Sequence, residues 1–363
     1  MHKENNISIS FSKRDSNFEL LRILAMLMII ASHYAVHGVG FENWISGNLV
    51  NRWLIAFFYA GGEIGVALFF MLSGYFLILK ENVSVKKVFL TTVFYAWVSI
   101  ILYLFRIGIH SFLDIAHIAR FMLIPVTSGN WWFVTVYVIL VLIAPYINLF
   151  LRKLNKRQYI LILCASWFFL YVLGAFYGVL FAALQKAFLF YCIGAYFHLY
   201  QKTDRKRLSY LLVILCSTIF TIVFSYAFLK TYDHQVQSIK QEFFRICITG
   251  VCVPVCSVFL FLLFKNLNIG SKHIINEIAS CKFGVYLLHD SPFNRGLIWE
   301  SILLTKDQFK SQFCPLLALG SILAIFMFGV FIDIVRKHHL EPIATRFTDA
   351  VLEKFRRIEC RIM

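Results

Sequence analysis

The sequence predicts an all-α fold, a polytopic bundle of about ten membrane-spanning helices with both termini in the cytoplasm. Three observations predict it. Of 363 residues, 60% are hydrophobic and 15% charged, with a mean hydropathy of +0.74; soluble domains run at about 45–50% apolar and about 25% charged. The apolar residues fall in runs close to the ~20 that a spanning helix needs. Lysine and arginine gather in alternate connections between those runs. Disordered, collagenous, coiled-coil and disulfide-scaffold chains are excluded by the same composition.

The first run, Phe18 to His37, follows Lys13 and Arg14 in the manner of a signal sequence. No small-residue cleavage site comes after it, so it is read as a retained span. Nine further runs cover 54–79, 88–108, 132–150, 159–178, 181–199, 208–229, 244–264, 283–303 and 315–335. A tight turn near Tyr177-Gly178 divides two of them, where one long kinked stretch is the alternative, and 283–303 is the least apolar. With the N-terminus inside, the cytoplasmic segments carry 24 Lys and Arg against eight outside, with Arg22, Lys186 and Arg295 within spans. That asymmetry sets the orientation. Residues 1–340 then form one transmembrane domain, and 341–363 a basic tail in which Phe347, Val351, Leu352, Phe355 and Ile358 interleave with Arg346, Lys354, Arg356 and Arg357. Such a helix lies on the inner leaflet or stands solvated.

The net charge is +16. Placed in short loops, it serves topology and the anionic leaflet, so the bilayer is the expected partner and nucleic acid is not. Nine cysteines include Cys164, Cys192, Cys216, Cys247, Cys252 and Cys256 inside apolar runs, and none form a CxxC pair. They are read as helix-packing thiols, with no metal site.

Ionisable residues inside spans direct attention to chemistry, because a charge at the bilayer centre costs roughly 2.5–3.5 kcal/mol on insertion scales. Arg22 and His33 lie eleven residues apart in the first run. Eleven residues is close to three helical turns, so both side chains share a face, about 16 Å apart along the axis. His37 follows one turn further out. The second run holds Glu63 beside Gly61, Gly62 and Gly65, and Ser73-Gly74 near its inner end; the glycines permit close helix approach. His289-Asp290-Ser-Pro292-Phe-Asn-Arg295 breaks the ninth run with proline and three ionisable groups, which do not face lipid. Asp290 and Arg295 are able to neutralise one another, and the segment is read as a wall that orients His33 or a substrate. Trp131 and Trp132 open the fourth run, where tryptophan belongs to the interfacial belt or stacks on a sugar ring. Asn130 and Tyr137 offer hydrogen bonds nearby.

Arg22-x10-His33, followed by Gly65-Val-x-Leu-Phe-Phe-x-Leu-Ser-Gly-Tyr75, resembles the acyltransferase-3 family of integral-membrane acyltransferases. Trp132-Phe-Val-Thr-Val-Tyr137 leading to Pro145, and Phe283-Gly-Val-Tyr-Leu-Leu-His289, extend the likeness over nearly the whole chain in order. The resemblance implies the same ten-span, termini-inside layout. It also implies an O-acyltransferase, most similar to bacterial enzymes of the cytoplasmic membrane that O-acetylate envelope polysaccharides or their lipid-linked precursors. Acetyl-CoA, or another acyl-CoA, would be the donor substrate, with no permanently bound cofactor. The family's Arg–His pair maps onto Arg22 and His33. Where many members carry an acidic residue this chain has Ala67, and where many carry paired arginines it has Lys86-Lys87 and then Thr91. Lysine holds phosphate as a point charge without the bidentate fork of arginine.

The chemistry fits the residue types. His33 is suited to general base or transient acyl carrier, and Arg22, Lys86 and Lys87 to the phosphates of CoA. A flippase for a lipid-linked sugar and a non-catalytic scaffold also suit a basic polytopic chain. The first expects paired broken helices in two repeats; the second gives an Arg–His line no purpose. The acceptor sugar, the acyl group and the oligomeric state are not written in the sequence.

Overall fold

A computed structural model describes residues 15–106, 112–123, 125–126, 131–174, 182–201, 207–231, 239–343 and 346. Asn130, the Tyr177-Gly178 turn and nearly all of the basic tail lie outside them. The fold is a helical bundle, and no strand occurs among the described residues. The helices are α1 (Ser16–His33), α2 (Leu49–Leu77), α3 (Lys86–Arg106), α4 (Phe112–Leu123), α5 (Trp132–Lys153) and α6 (Lys156–Trp167). They continue as α7 (Ala182–Tyr200), α8 (Arg207–Lys230), α9 (Ile239–Ile246), α10 (Val253–Lys265) and α11 (His273–Ser280). The last four are α12 (Lys282–His289), α13 (Pro292–Arg295), α14 (Thr305–Lys310) and α15 (Cys314–Val335).

Eight stretches among the described residues are long and apolar enough to cross a membrane. The ten expected runs include two others. The run 181–199 is the single helix α7, whose Lys186, Gln185 and His198 dilute its hydropathy. The run 283–303 is broken into α12, α13 and a π-helical turn, Gly296–Ile302.

Local chemistry accounts for the starts and breaks. The Asn48 side chain accepts the Asn51 amide at the head of α2, and Asn155 with Gln158 forms a reciprocal capping box on α6. Pro254 has no N–H to give the carbonyl four residues back, and the helix widens into a π turn, Cys247–Cys252, just ahead of it. The indole of Trp167 donates to that carbonyl, on Gly250, at 2.6 Å. Pro292 repeats the device: the Leu288 carbonyl it cannot serve accepts Asn294 Nδ2 at 3.2 Å. The break therefore ends α12 at His289 and leaves no orphaned carbonyl at Leu288.

Helices α1 and α2 form the centre. α1 packs against α2, α10, α11, α12 and α15, and α2 also meets α7, α8 and α10. Small residues bring them close. A methyl on Gly62 would overlap Ser32, and one on Gly65 would overlap the Ala25 carbonyl, whereas Gly61 has ordinary contact room. The tightest crossing joins α2 to α7: a Cβ on Gly74 would collide with the Tyr191 carbonyl, and one on Gly194 with the Met71 carbonyl. The two glycines admit each other's helix backbone, the small-residue mode of membrane packing. Asn148 of α5 locks the same region, donating to the Leu77 carbonyl at 2.7 Å and accepting from Tyr191 Oη at 2.7 Å.

Gly194→Ala is expected to lower the midpoint of thermal unfolding in detergent, with a cost of about 1–3 kcal/mol for overpacking. Gly320→Ala, where no atom lies within 4 Å of the added methyl, is expected to leave that midpoint unchanged or raised, as helix propensity favours Ala by about 1 kcal/mol.

Candidate active site

One face of α1 lines a cavity of about 650 Å³, and Arg22, Met26, Ile29 and His33 descend along it in register. The opposite walls come from α2 (Phe69, Ser73, Phe76), α5 (Trp132, Phe133, Tyr137) and α12 (Phe283, Gly284, Tyr286). The helical spacing read from the sequence is thus realised: both groups open onto the same space.

The Arg22 end is rich in charge. Lys80, Lys87, Lys282, Arg336 and Lys337 share this rim with Asp15, Glu19 and Asp333. Arg22 Nη1 bonds Glu19 Oε1 at 2.5 Å, and its guanidinium lies over the Phe76 ring at 5.1 Å. Asp333, 1% exposed, takes Arg336 Nε at 2.7 Å, Lys337 Nζ at 3.0 Å and Tyr95 Oη at 2.9 Å. Gly284 has no side chain because Asp333 Oδ1 and Tyr95 Oη occupy the place of its Cβ. Lys87 and Arg336 are both bonded to Glu341, at 2.7 and 3.1 Å.

The His33 end is a chain of hydrogen bonds. His289 Nδ1 lies 2.6 Å from the Val285 carbonyl, one turn back on α12. A carbonyl only accepts, so Nδ1 carries the proton and, in the neutral ring, His289 Nε2 is an acceptor. His33 Nδ1 lies 3.0 Å from that Nε2 and is therefore the donor. The neutral His33 ring then keeps its lone pair on Nε2, the nitrogen not engaged by His289, on a ring that lines the cavity. Behind the pair, Asp290 is buried and receives Arg295 Nη2 at 2.7 Å and Nε at 3.1 Å. Its Oδ1 stands 3.6 Å from His33 Nδ1 and 3.6 Å from His37 Nε2. A carboxylate at that range stabilises an imidazolium by charge without taking the hydrogen bond from His289.

The family model for an acyltransferase domain matches residues 15–336. The chain belongs to the acyltransferase-3 family. No curated protein and no solved structure matches it. The matched stretch holds every residue of the cavity wall except Lys337, so this acyltransferase domain and the cavity are one unit.

Of the residues singled out in the sequence, Arg22, His33, Ser73, Lys87, Trp132 and Tyr137 line the cavity. His289 is hydrogen-bonded to His33, and Asp290 and Arg295 form an ion pair behind it whose carboxylate stands 3.6 Å from His33 Nδ1. Asp290 and Arg295 thus form the local ion pair that their sequence allowed, and it abuts the histidine. Lys86 lines a smaller neighbouring groove of about 320 Å³ with Lys87, Arg336 and Glu341. Glu63 is not on the cavity wall; it pairs with Lys186 of α7 at 2.7 Å, and Lys186 lies 5.5 Å from the Trp132 ring centre. Asn130 falls outside the described residues. Asp333 lies within the last apolar run, outside the residues singled out in the sequence, and an acid in an apolar run is the same signal that marks Arg22.

Asp333→Ala removes the counter-charge of two cations and the acceptor of Tyr95 together. The expected loss is about 3–5 kcal/mol, the scale for stripping one partner from a buried ion pair. Tyr95→Phe removes a single hydrogen bond and is expected to cost about 1 kcal/mol; thermal unfolding of both variants in one detergent separates the two effects.

Proposed function

We propose that this acyltransferase moves an acyl group, acetyl by preference, from cytoplasmic acyl-CoA to a hydroxyl of a cell-surface polysaccharide or its lipid-linked precursor. The observation that carries the proposal is the shared cavity, cationic at the Arg22 end and presenting an unprotonated imidazole nitrogen at the other. The phosphates of the donor sit among Arg22, Lys87 and their cationic neighbours on the cytoplasmic side of a bacterial membrane. The thioester arm reaches along α1 towards His33.

At that end the reaction needs one proton moved. His33 Nε2 accepts the acceptor's hydroxyl proton as the oxygen attacks the thioester carbonyl. The C–O bond forms, the C–S bond breaks, and the proton passes to the departing sulfur as free thiol. During the step His33 is an imidazolium whose Nδ1–H remains on His289, and Asp290 supplies the compensating charge. His289 is a positioning residue: its bond to Val285 decides which nitrogen of His33 is the base. Trp132, with Lys186 beside it and Glu63 paired to that lysine, offers a ring face and polar groups suited to a sugar.

His33→Ala is expected to lower transfer by 10²–10⁴-fold, the range for loss of a general base, at normal membrane levels. The measurement is the O-acetyl signal of surface polysaccharide in proton NMR, with and without the intact gene. Undiminished acetylation in the His33→Ala strain would end the proposal. Arg22→Ala is expected to raise KM for the acyl-CoA more than it lowers kcat, since its part is positioning.

A further inference from the structure

His37 takes no part in the reaction above, yet it is brought against the same carboxylate as His33. We infer that His33, His37 and Asp290 form a binding site for a divalent transition-metal cation of the zinc class. Occupation of that site switches the acyl-transfer reaction off, a second step that rests on the role given to His33.

The geometry is that of a three-ligand metal centre. One nitrogen from each imidazole and one carboxylate oxygen all lie within 4.8 Å of one another. Two of the three separations, His33 Nδ1 to Asp290 Oδ1 and His37 Nε2 to Asp290 Oδ1, are 3.6 Å. Ligands about 2.1 Å from a tetrahedral zinc stand about 3.4 Å apart, so only the two histidines need to close further. They are four residues apart, with the helix turning from α to π between them at Tyr34–Val39. Two imidazoles and one carboxylate suit zinc, cobalt or copper, whereas magnesium and calcium prefer all-oxygen shells.

Asp290 is 1% exposed, and Arg295 makes both of its contacts to Oδ1, the oxygen 3.6 Å from each histidine, while the Tyr286 hydroxyl faces the same carboxylate. A cation seated between the two histidines would share Oδ1 with Arg295. Arg295 opposes the metal, so binding is expected to be reversible rather than structural. His37, partly open to its surroundings, gives the ion a way in.

The consequence for catalysis follows from the tautomer. A metal on Nδ1 of His33 requires that nitrogen's lone pair, so the ring proton moves to Nε2. The nitrogen facing the cavity is then protonated and no longer accepts the hydroxyl proton. His289 loses its donor at the same time. Nothing is oxidised or reduced, and removal of the ion restores the original tautomer.

Cobalt(II) is the probe, added to the purified full-length chain in detergent. Equilibrium dialysis is expected to give one ion per chain. The visible spectrum should be that of a tetrahedral nitrogen and oxygen site, without the charge-transfer band of a thiolate, which separates this site from the cysteines. His37→Ala and His37→Gln should weaken binding at least tenfold while preserving the elution volume of the folded protein. Magnesium should not compete. No cobalt bound, a thiolate spectrum, or unchanged affinity in both His37 variants would each overturn the site. In the transfer assay, cobalt or zinc should inhibit the wild type and spare His37→Ala, whose basal activity is retained. Cobalt seated at the site without slowing transfer would keep the site and overturn the role of His33.

Discussion

Ionised groups in hydrocarbon need partners, and this one constraint organises the interior. Among the described residues, Arg22 meets Glu19, Glu63 meets Lys186, Asp290 meets Arg295, and Asp333 meets Arg336 and Lys337. Two of these sets border the cavity directly, and a third stands immediately behind His33. Polar chemistry inside the bundle is thus gathered around one space. The lipid-facing surfaces of α3, α5, α8 and α15 are left to residues such as Trp97, Leu142, Phe220 and Phe331.

Enclosing those groups requires helices that approach closely and helices that stop mid-membrane. Glycine provides the first at the α1–α2 and α2–α7 crossings, which hold the face of α1 that carries Arg22 and His33. Proline provides the second. A break in a lipid-exposed helix would strand carbonyls, but the freed groups at Gly250 and Leu288 are each met by a side-chain donor from the protein. The break at Pro292 has a further effect. It puts His289 and Asp290 at the C-terminal end of α12, where a cation is favoured and a carboxylate is not; Arg295, three residues into the next segment, offsets the carboxylate.

Much of this was legible along the chain. The eleven-residue spacing of Arg22 and His33 sets their shared face by helical geometry alone, and the cavity lies on that face. The polar interruption at 289–295 announced itself as residues unfit for lipid. What local pattern does not encode is which distant groups meet. His33 and His289 are 256 residues apart, and their hydrogen bond exists only because α1 packs on α12. Glu63 stands beside Gly61 and Gly62 in the second run, and the helical face it occupies turns it to Lys186, a partner 123 residues away that no local pattern indicates. Helix α7, read from the sequence as the run 181–199, is less apolar for a related reason: burial of Tyr191, Cys192 and Ala195 permits polar neighbours that a lipid-facing helix of the same length would not tolerate.

The arrangement around His33 differs from a histidine clamped directly by a carboxylate. A carboxylate bonded to Nδ1 raises basicity by sharing the proton of the imidazolium. Here a neutral ring holds the bond and the carboxylate stands 3.6 Å off, itself paired with Arg295. Orientation is then fully specified, because each proton in the line from Val285 through His289 to His33 has one acceptor. The proposed attack of an alcohol on a thioester suits that arrangement. In the proposed reaction the thioester carbonyl is already activated, so the step needs a correctly placed lone pair on His33, and the imidazolium then gives its proton to the leaving sulfur.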